Sequence, residues 1–444
     1  MFAVEKERSK KRKISFHKVF NLFSALFLLV CISVYGYRFT TLYLENSKAK
    51  NIKQIGDTIK ENNASNKNFK NIKGDYYFVG SEVNNYVKYS NMLWRVIKVD
   101  KRGNVVIALD SSITSLAKGS SEFTSSSIYS WLNKDDEDEF SGIFESVLND
   151  VPQYLTYTKA CVDDESDIKK ITCGKFTSDT FVTIPTLLDY VNTGGSSSFL
   201  NTGSYYYLLN NGKDGSSWVV DDAGKVGNSK GDDLLGIKPV ITIKRLSIIK
   251  NGDGSKAAPY EFEDGVSSFV GNYVKLGDDI WQVYAEDDNN VKLVLKSYLK
   301  VNGREVENKY SRSGYKFDVS EYGSLAYYLN NRYLNSLKYN GILEEFEFGN
   351  GVYNNYDYKE VLKSKVKAKV GLISIGDLMF NYDIADYFLS TGTPDNLVYF
   401  YQGDGNFDTR SSNNMFNIIP TISIKKSLIL EHGTADSPYE VKYE

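Results

Sequence analysis

The pattern of apolar and polar positions changes character twice along the chain. From Val19 to Tyr37 there are 19 residues without a charge, closed by Arg38. At about 1.5 Å per residue such a helix just spans a hydrocarbon core of roughly 30 Å, so the pattern predicts a transmembrane helix over 19–37. Residues 38–72 are rich in Lys, Asn and Glu, with Ile52, Ile55 and Ile59 at helical spacing. They predict a short stalk helix and a flexible linker. Beyond residue 72 the apolar positions cluster in short β-branched and aromatic runs. Val87 to Ile97 and Asn104 to Leu109 read as strands joined by a hairpin turn at Asp100-Lys-Arg-Gly103, and Glu286 to Asn290 reads as a second such turn. Asp318-Val-Ser320 is placed to cap a helix carrying Leu325, Tyr328, Leu329, Tyr333 and Leu337, and Ser374-x-x-Asp377 to open another. Strand patterns return at 217–220, 239–244, 398–401 and 420–425. Strands, then helices, then strands predict an α+β fold with antiparallel sheets.

The same pattern occurs twice. Asn85-Tyr-Val-Lys-Tyr-Ser-Asn-Met-Leu-Trp94 recurs as Asn272-Tyr-Val-Lys-Leu-Gly-Asp-Asp-Ile-Trp281, at an offset of 187. In the same order Asn104–Leu109 matches Asn290–Leu295, Ser127–Asn133 matches Ser324–Asn330, and Phe181–Leu188 matches Leu372–Met379. Tyr206–Leu208 then matches Tyr387–Leu389, Ile237–Lys244 matches Ile418–Lys425, and Gly254–Phe262 matches Gly433–Val441. Collinear matches of this kind divide the chain into two copies of one domain, 73–264 and 265–444. A basic leader (1–18), the apolar helix (19–37) and the stalk (38–72) precede them.

Composition narrows the chemistry. Of 444 residues 41% are hydrophobic, and 34 Tyr and 24 Phe stand beside only 2 His, 3 Cys and 7 Pro. The chain is too apolar and aromatic to be disordered, and a His-centred triad or a Cys/His metal cluster has almost no raw material. The formal net charge is −3, yet residues 1–18 alone carry +5, so the remainder carries −8. That basic excess places the N-terminal side of the apolar helix in the cytoplasm and both domains outside, with Tyr35 and Tyr37 at the outer boundary. A cleaved signal peptide and a lipid anchor through Cys31 are the rival readings. Against them stand the length of the apolar run, the missing A-x-A-like site and the bulky Val30. The acidic ectodomain argues against nucleic acid as a partner.

The order of these elements, with the Trp-x-Val/Ile hairpin, a helix ending Leu-Asn, the Tyr-Tyr/Phe-Leu segment and the closing Pro-Val-Ile-x-Ile strand, resembles a bacterial extracellular domain of unknown function. That domain is related to the C-type-lectin-like and sulfatase-modifying-factor-like fold. The resemblance implies two lectin-like domains in tandem, each carrying its ligand on a long irregular loop region. It departs from the fold's familiar activities. Thr393-Pro394-Asp395 lacks the Gln of a calcium-dependent sugar site, and the second copy has no Cys for a metal-binding cysteine pair. No cofactor and no metal site are expected.

Candidate residues follow from these readings. Cys161 and Cys173 lie 12 apart in an insert of the first copy, where a disulfide is the leading expectation and free thiols or metal use the alternatives. Trp94 and Trp281 read as core residues. In Tyr205–Tyr207 and Tyr399–Tyr401 strand alternation predicts at least one exposed ring. Asp221, Asp222, Asp232 and Asp233 flank the Trp218 strand in the loop region where the resembling fold binds ligands. Asp404, Asn413 and Asn414 occupy similar places in the second copy, so the loops around Trp218 to Gly236 and around Tyr399 to Asn417 are the candidate binding regions. The other acidic runs, Asp135–Glu139 and Asp163–Glu165, match no calcium-loop pattern and read as solvated surface. His17 and His432 stand alone, and no P-loop, dinucleotide fingerprint, H-E-x-x-H or G-x-S-x-G occurs. The chain therefore reads as a non-enzymatic, single-pass surface protein, anchored in the lipid bilayer by 19–37 and binding a glycan, a wall component or another protein. A structural component of the envelope is the second reading, and a carboxylate-dependent hydrolase the third.

Overall fold

The repeat in the sequence reappears as a repeat in strand order. In the first half Tyr86–Tyr89 pairs antiparallel with Met92–Val99, which pairs with Val105–Leu109, which pairs with Val240–Ile243. In the second half Tyr273–Leu276, Asp279–Glu286, Asn290–Leu295 and Thr421–Lys425 pair in the same sequence. Even the irregularity is repeated: the register shifts at Ile97 between Val96 and Lys98, and at Tyr284 between Val283 and Ala285. Each half ends beside its repeated first strand with a parallel partner, Tyr260 beside Val87 and Tyr439 beside Val274, and in the first half the Phe69–Ile72 and Asp75–Phe78 hairpin precedes that strand and joins the same sheet. A second five-stranded sheet follows the same rule. Its first-half order is Val226–Ser229, Ser217–Val220, Tyr206–Asn211, Leu235–Ile237 and Thr114–Leu116. In the second half the order is Asn406–Arg410, Val398–Gly403, Tyr387–Gly392, Met415–Asn417 and Glu307–Lys309.

The computed structural model describes residues 53–164, 167–168, 171–262, 265, 268–430 and 437–442, with Ser33 and Gly36. The basic leader, all but those two residues of the expected membrane segment, and His432 lie outside the described residues. Among the described residues no helix is long and apolar enough to cross a membrane. The chain divides into the units Met1–Lys53 and Gln54–Glu444, and every described strand belongs to the second. That unit is α+β, with several antiparallel sheets and few, short helices.

Local chemistry explains the elements. Trp94 and Trp281 are fully buried at equivalent places in the two halves. Ser126 caps the Ser127–Leu132 helix by accepting from Tyr129 N at 3.1 Å, and Asn133 at its end grips the chain at Val182 through Nδ2 to Val182 O (2.9 Å) and Oδ1 from Val182 N (3.0 Å). Ser324 and Asn330 repeat the device, with Asn330 gripping Val370 at 2.8 and 3.0 Å. These amides make Val182 the counterpart of Val370, so Thr186-x-x-Asp189 corresponds to Ser374-x-x-Asp377. The hydrophobic match of Phe181 with Leu372 is three residues out of register.

Several expectations are corrected. The run from Val87 to Ile97 is two strands, because Ser90 and Asn91 adopt φ of 50° and 58° and make a tight turn. The second-half helix is capped by Ser324, while Asp318 accepts from Ser320 N (2.8 Å) and closes its own turn. Ser374 caps no helix: Gly376 has φ of 99°, and Met379 N donates to Ile113 O of the first half at 2.6 Å, which draws the chain away. Finally, Ile55–Asn62 is not a free stalk. Ile55 and Ile59 are fully buried, and Ile55 N donates to Ser247 O at 2.7 Å.

Candidate functional site

The two halves interlock. Trp131 Nε1 of the first half donates to Gly376 O of the second at 2.9 Å, and Tyr358 Oη of the second donates to Phe140 O of the first at 2.7 Å. Ser115 Oγ and Tyr382 Oη lie 2.7 Å apart, and Tyr205 N donates to Asp404 O at 3.3 Å. The fit leaves no room at Gly236, where a methyl group would stand 2.5 Å from Ser112 Oγ and 2.7 Å from Tyr205 O. Asp138 in the acidic run forms an ion pair with Lys359, which holds its carboxyl below the usual 3.8.

Beside this contact an open cleft of about 470 Å³ lies between the second sheets of the two halves. Its aromatic walls are Tyr205 from the first half and Tyr353, Tyr356, Tyr399 and Phe407 from the second. Tyr353 is the hub: its ring meets Tyr399 edge-on at 5.9 Å and 89°, and Tyr356 at 6.3 Å and 70°, while its hydroxyl accepts from Ala117 N at 3.3 Å. Asn355 and Tyr356 are the two central residues of a tight turn closed by an Asn354–Asp357 bridge, with φ of 51° and 60°. A left-handed conformation is costly for a tyrosine. The turn nevertheless holds the Tyr356 ring at the cleft, 45% exposed. Burial raises the Tyr399 phenol above its usual 10.0. The polar wall is the loop after Val226–Ser229, which brings Asp232 and Asp233 to the cleft. Asp233 Oδ2 accepts from Ser229 Oγ at 2.6 Å, and its carbonyl accepts from Tyr207 Oη at 2.9 Å.

Of the residues singled out in sequence, the cleft therefore collects Asp232, Asp233 and Tyr399. Trp218 is 8% exposed and does not line it, although the strand register makes Trp218 the counterpart of Tyr399. Asp221 sits in the turn after the Trp218 strand, accepting from Lys225 N at 2.7 Å, with Asp222 exposed beside it. Asp404 contributes its backbone to the contact between halves, and Asn413 and Asn414 are exposed in a turn anchored on Ser411. Neither aromatic triplet exposes a ring as fully as alternation suggests. Tyr206, Tyr207, Phe400 and Tyr401 are all buried, because the second sheet is covered on both faces. Tyr353 and Tyr356 were missed, since the stretch around them has no counterpart in the first copy. Their signal is the Asn354-Asn355 pair, a turn former set between tyrosines. Cys161 and Cys173 are joined as a disulfide with Cα atoms 5.8 Å apart, and Asp163 beside them accepts from Lys175 N at 3.0 Å.

Four cations buried in the first half have no cationic counterpart in the second, where among the described residues burial lowers Lys296 alone, at another position, to about 8. Arg95 is 6% exposed and its guanidinium bonds Asn85 Oδ1 (2.6 Å), Val83 O (3.1 Å) and Asp110 Oδ1 (3.3 Å). Lys98 pairs with Asp189 at 2.8 Å, and that carboxylate holds the amine above its usual range against the opposing effect of burial. Lys118 and Lys238 are fully buried without a carboxylate partner in hydrogen-bond contact, and burial lowers them to about 8 and about 7. Lys238 Nζ donates to Leu200 O at 2.9 Å and Asp110 O at 3.3 Å.

No family model, curated protein or solved structure matches the chain.

Proposed function

We propose that the chain is a membrane-anchored surface binding protein of a bacterium, carrying two lectin-like domains outside the cell and taking its ligand in the cleft between them. The observation that carries this reading is the meeting of Asp232 and Asp233, from a loop of the first half, with Tyr399, from a strand of the second, in one open aromatic cleft. Exposed rings beside a few polar groups favour recognition of a glycan, a wall component or a protein side chain. The two carboxylates are neighbours on one loop, and no carboxylate stands on the facing wall among the lining residues. That arrangement supports binding over hydrolysis, which needs carboxyl groups on opposite sides of a scissile bond. The anchor and the outward orientation rest on the uncharged run 19–37 and the basic leader.

The test is an array of glycans, wall fragments and surface proteins probed with the purified protein and with a Tyr399→Ala variant. A ligand bound by the parent and lost in the variant is expected; a ligand bound equally by both rejects the cleft as the site. Protease added to intact cells should remove 54–444 while leaving the leader protected, and full protection of the ectodomain would reject the orientation.

A further inference from the structure

The composition of the cleft says more about its ligand than its shape does. Five aromatic rings and two carboxylates line it, and no Lys or Arg is among its described lining residues. An aromatic face carries negative charge density and attracts cations, most strongly where water is partly excluded. The edge-on packing of Tyr353 against Tyr356 and Tyr399 fixes the relative orientation of the rings before any ligand arrives. Asp233 gives one oxygen to Ser229. No described Lys or Arg pairs with Asp232 or Asp233, so their charge is left for whatever enters the cleft. A neutral sugar could stack on the rings and donate hydroxyl groups to the carboxylates, but it brings no positive charge to balance theirs. We propose that the cleft takes an organic ammonium cation, seated against Tyr356 and Tyr399 and balanced by Asp232 and Asp233. The proposal rests on the cleft being the binding site. The same chemistry is carried by a quaternary ammonium head and by a lysine side chain of a partner protein.

The test is calorimetric titration of the full-length protein in a non-ionic detergent with choline, with its uncharged carbon isostere dimethylbutanol, with an N-acetyl-lysine amide and with neutral oligosaccharides. Choline or the lysine probe is expected to bind at millimolar concentration or tighter, and dimethylbutanol about tenfold more weakly. Preference for choline assigns the cation to a quaternary head, and preference for the lysine probe to a protein side chain. Tyr356→Gly removes a ring at a φ of 60° that glycine adopts freely. It is expected to weaken the favoured probe by about threefold to thirtyfold with an unchanged melting temperature or a raised one. Asp232→Asn combined with Asp233→Asn is expected to abolish the preference for the charged probe. Equal binding of choline and dimethylbutanol overturns the proposal. So does Tyr356-dependent binding of a neutral oligosaccharide with no ammonium binding, although the cleft then remains the site. Binding of no probe at all removes the proposal, and the array with Tyr399→Ala decides separately whether the cleft binds anything.

Discussion

The first half buries cations where the second half has neutral side chains. Strand register and backbone contacts place Arg95 opposite Gln282 in the repeat, Lys98 opposite Ala285, Lys118 opposite Tyr310 and Lys238 opposite Ile419. The topology is nevertheless the same, which separates what specifies this fold from what decorates it. Common to both halves are the buried Trp, the Asn that grips a neighbouring strand, the Ser/Thr-x-x-Asp box and the register shift in the second strand of the sheet. The buried cations are absent from that set, in keeping with the high desolvation cost that makes ion pairs weak determinants of a fold. The neutral solution has its own cost. Gln282 Oε1, Tyr310 Oη and Trp281 Nε1 are buried without a hydrogen-bond partner, whereas the counterpart Trp94 Nε1 donates to Tyr89 O at 3.0 Å.

The strongest way to break the comparison is at the shared Asp. Asp189→Ala strands Lys98 in a buried site and is expected to cost about 3–5 kcal/mol in a denaturant titration. At the equivalent position Asp377 has no ion pair among the described residues, and burial raises its pKa, so a neutral side chain there escapes part of the desolvation cost. Asp377→Asn is therefore expected to cost under about 1 kcal/mol. Equal losses at the two sites would show that the ion pair is not what separates the halves.

Lys238 offers a sharper test through pH. The amine titrates at its usual 10.5 when unfolded and at about 7 in the fold. Between those values the unfolded chain holds a proton that the folded chain has released. Stability from this group therefore rises with pH across that window, by at most about 1.4 kcal/mol per pH unit. Lys238→Met, which approximates the Ile419 solution, should flatten that part of the profile measured by urea unfolding. A parallel slope in the variant would place the titration elsewhere.

Smaller effects separate the two tryptophans and the strained turn. Trp94→Phe loses the bond to Tyr89 O while Trp281→Phe loses none, so the first is expected to cost about 1 kcal/mol more. Matching melting curves would contradict this. Tyr356→Gly should leave thermal stability unchanged or raise it by less than about 1 kcal/mol, since relief of strain competes with added chain entropy. A clear loss of stability would mean that the ring holds the halves together rather than serving the cleft.

Much of the architecture was legible because hydrophobic periodicity survives in both copies: the 187-residue offset locates the first hairpins and both tryptophans. Where two apolar stretches share the same alternation, as Phe181-Val-Thr-Ile and Leu372-Ile-Ser-Ile do, hydrophobicity alone permits a slip. The buried Asn133 and Asn330 amides fix the register instead. The Ser90-Asn91 turn was readable, since its counterpart Gly277-Asp278 is a turn pair between strands. The cleft was half legible. Asp232 and Asp233 stood out by flanking the Trp218 strand and Tyr399 as part of an aromatic triplet, but Tyr353 and Tyr356 belong to a stretch found once, and only the folding of one copy against the other brings them together.

The parallel strand that ends each half has a mechanical consequence. Tyr439 runs alongside Val274 in the same direction, so a pull at the two ends of the second half acts along those neighbours, whereas in the first half the Phe69–Ile72 and Asp75–Phe78 hairpin precedes the Val87–Tyr260 pair and takes the load at that end. Parallel neighbours drawn from opposite ends slide past one another, so their backbone hydrogen bonds must fail together in shear. An antiparallel pair pulled from one end would open bond by bond. The second half is thus built to resist tension along the chain, and because the halves interlock, the contacts between them must part before either unravels under an extending force.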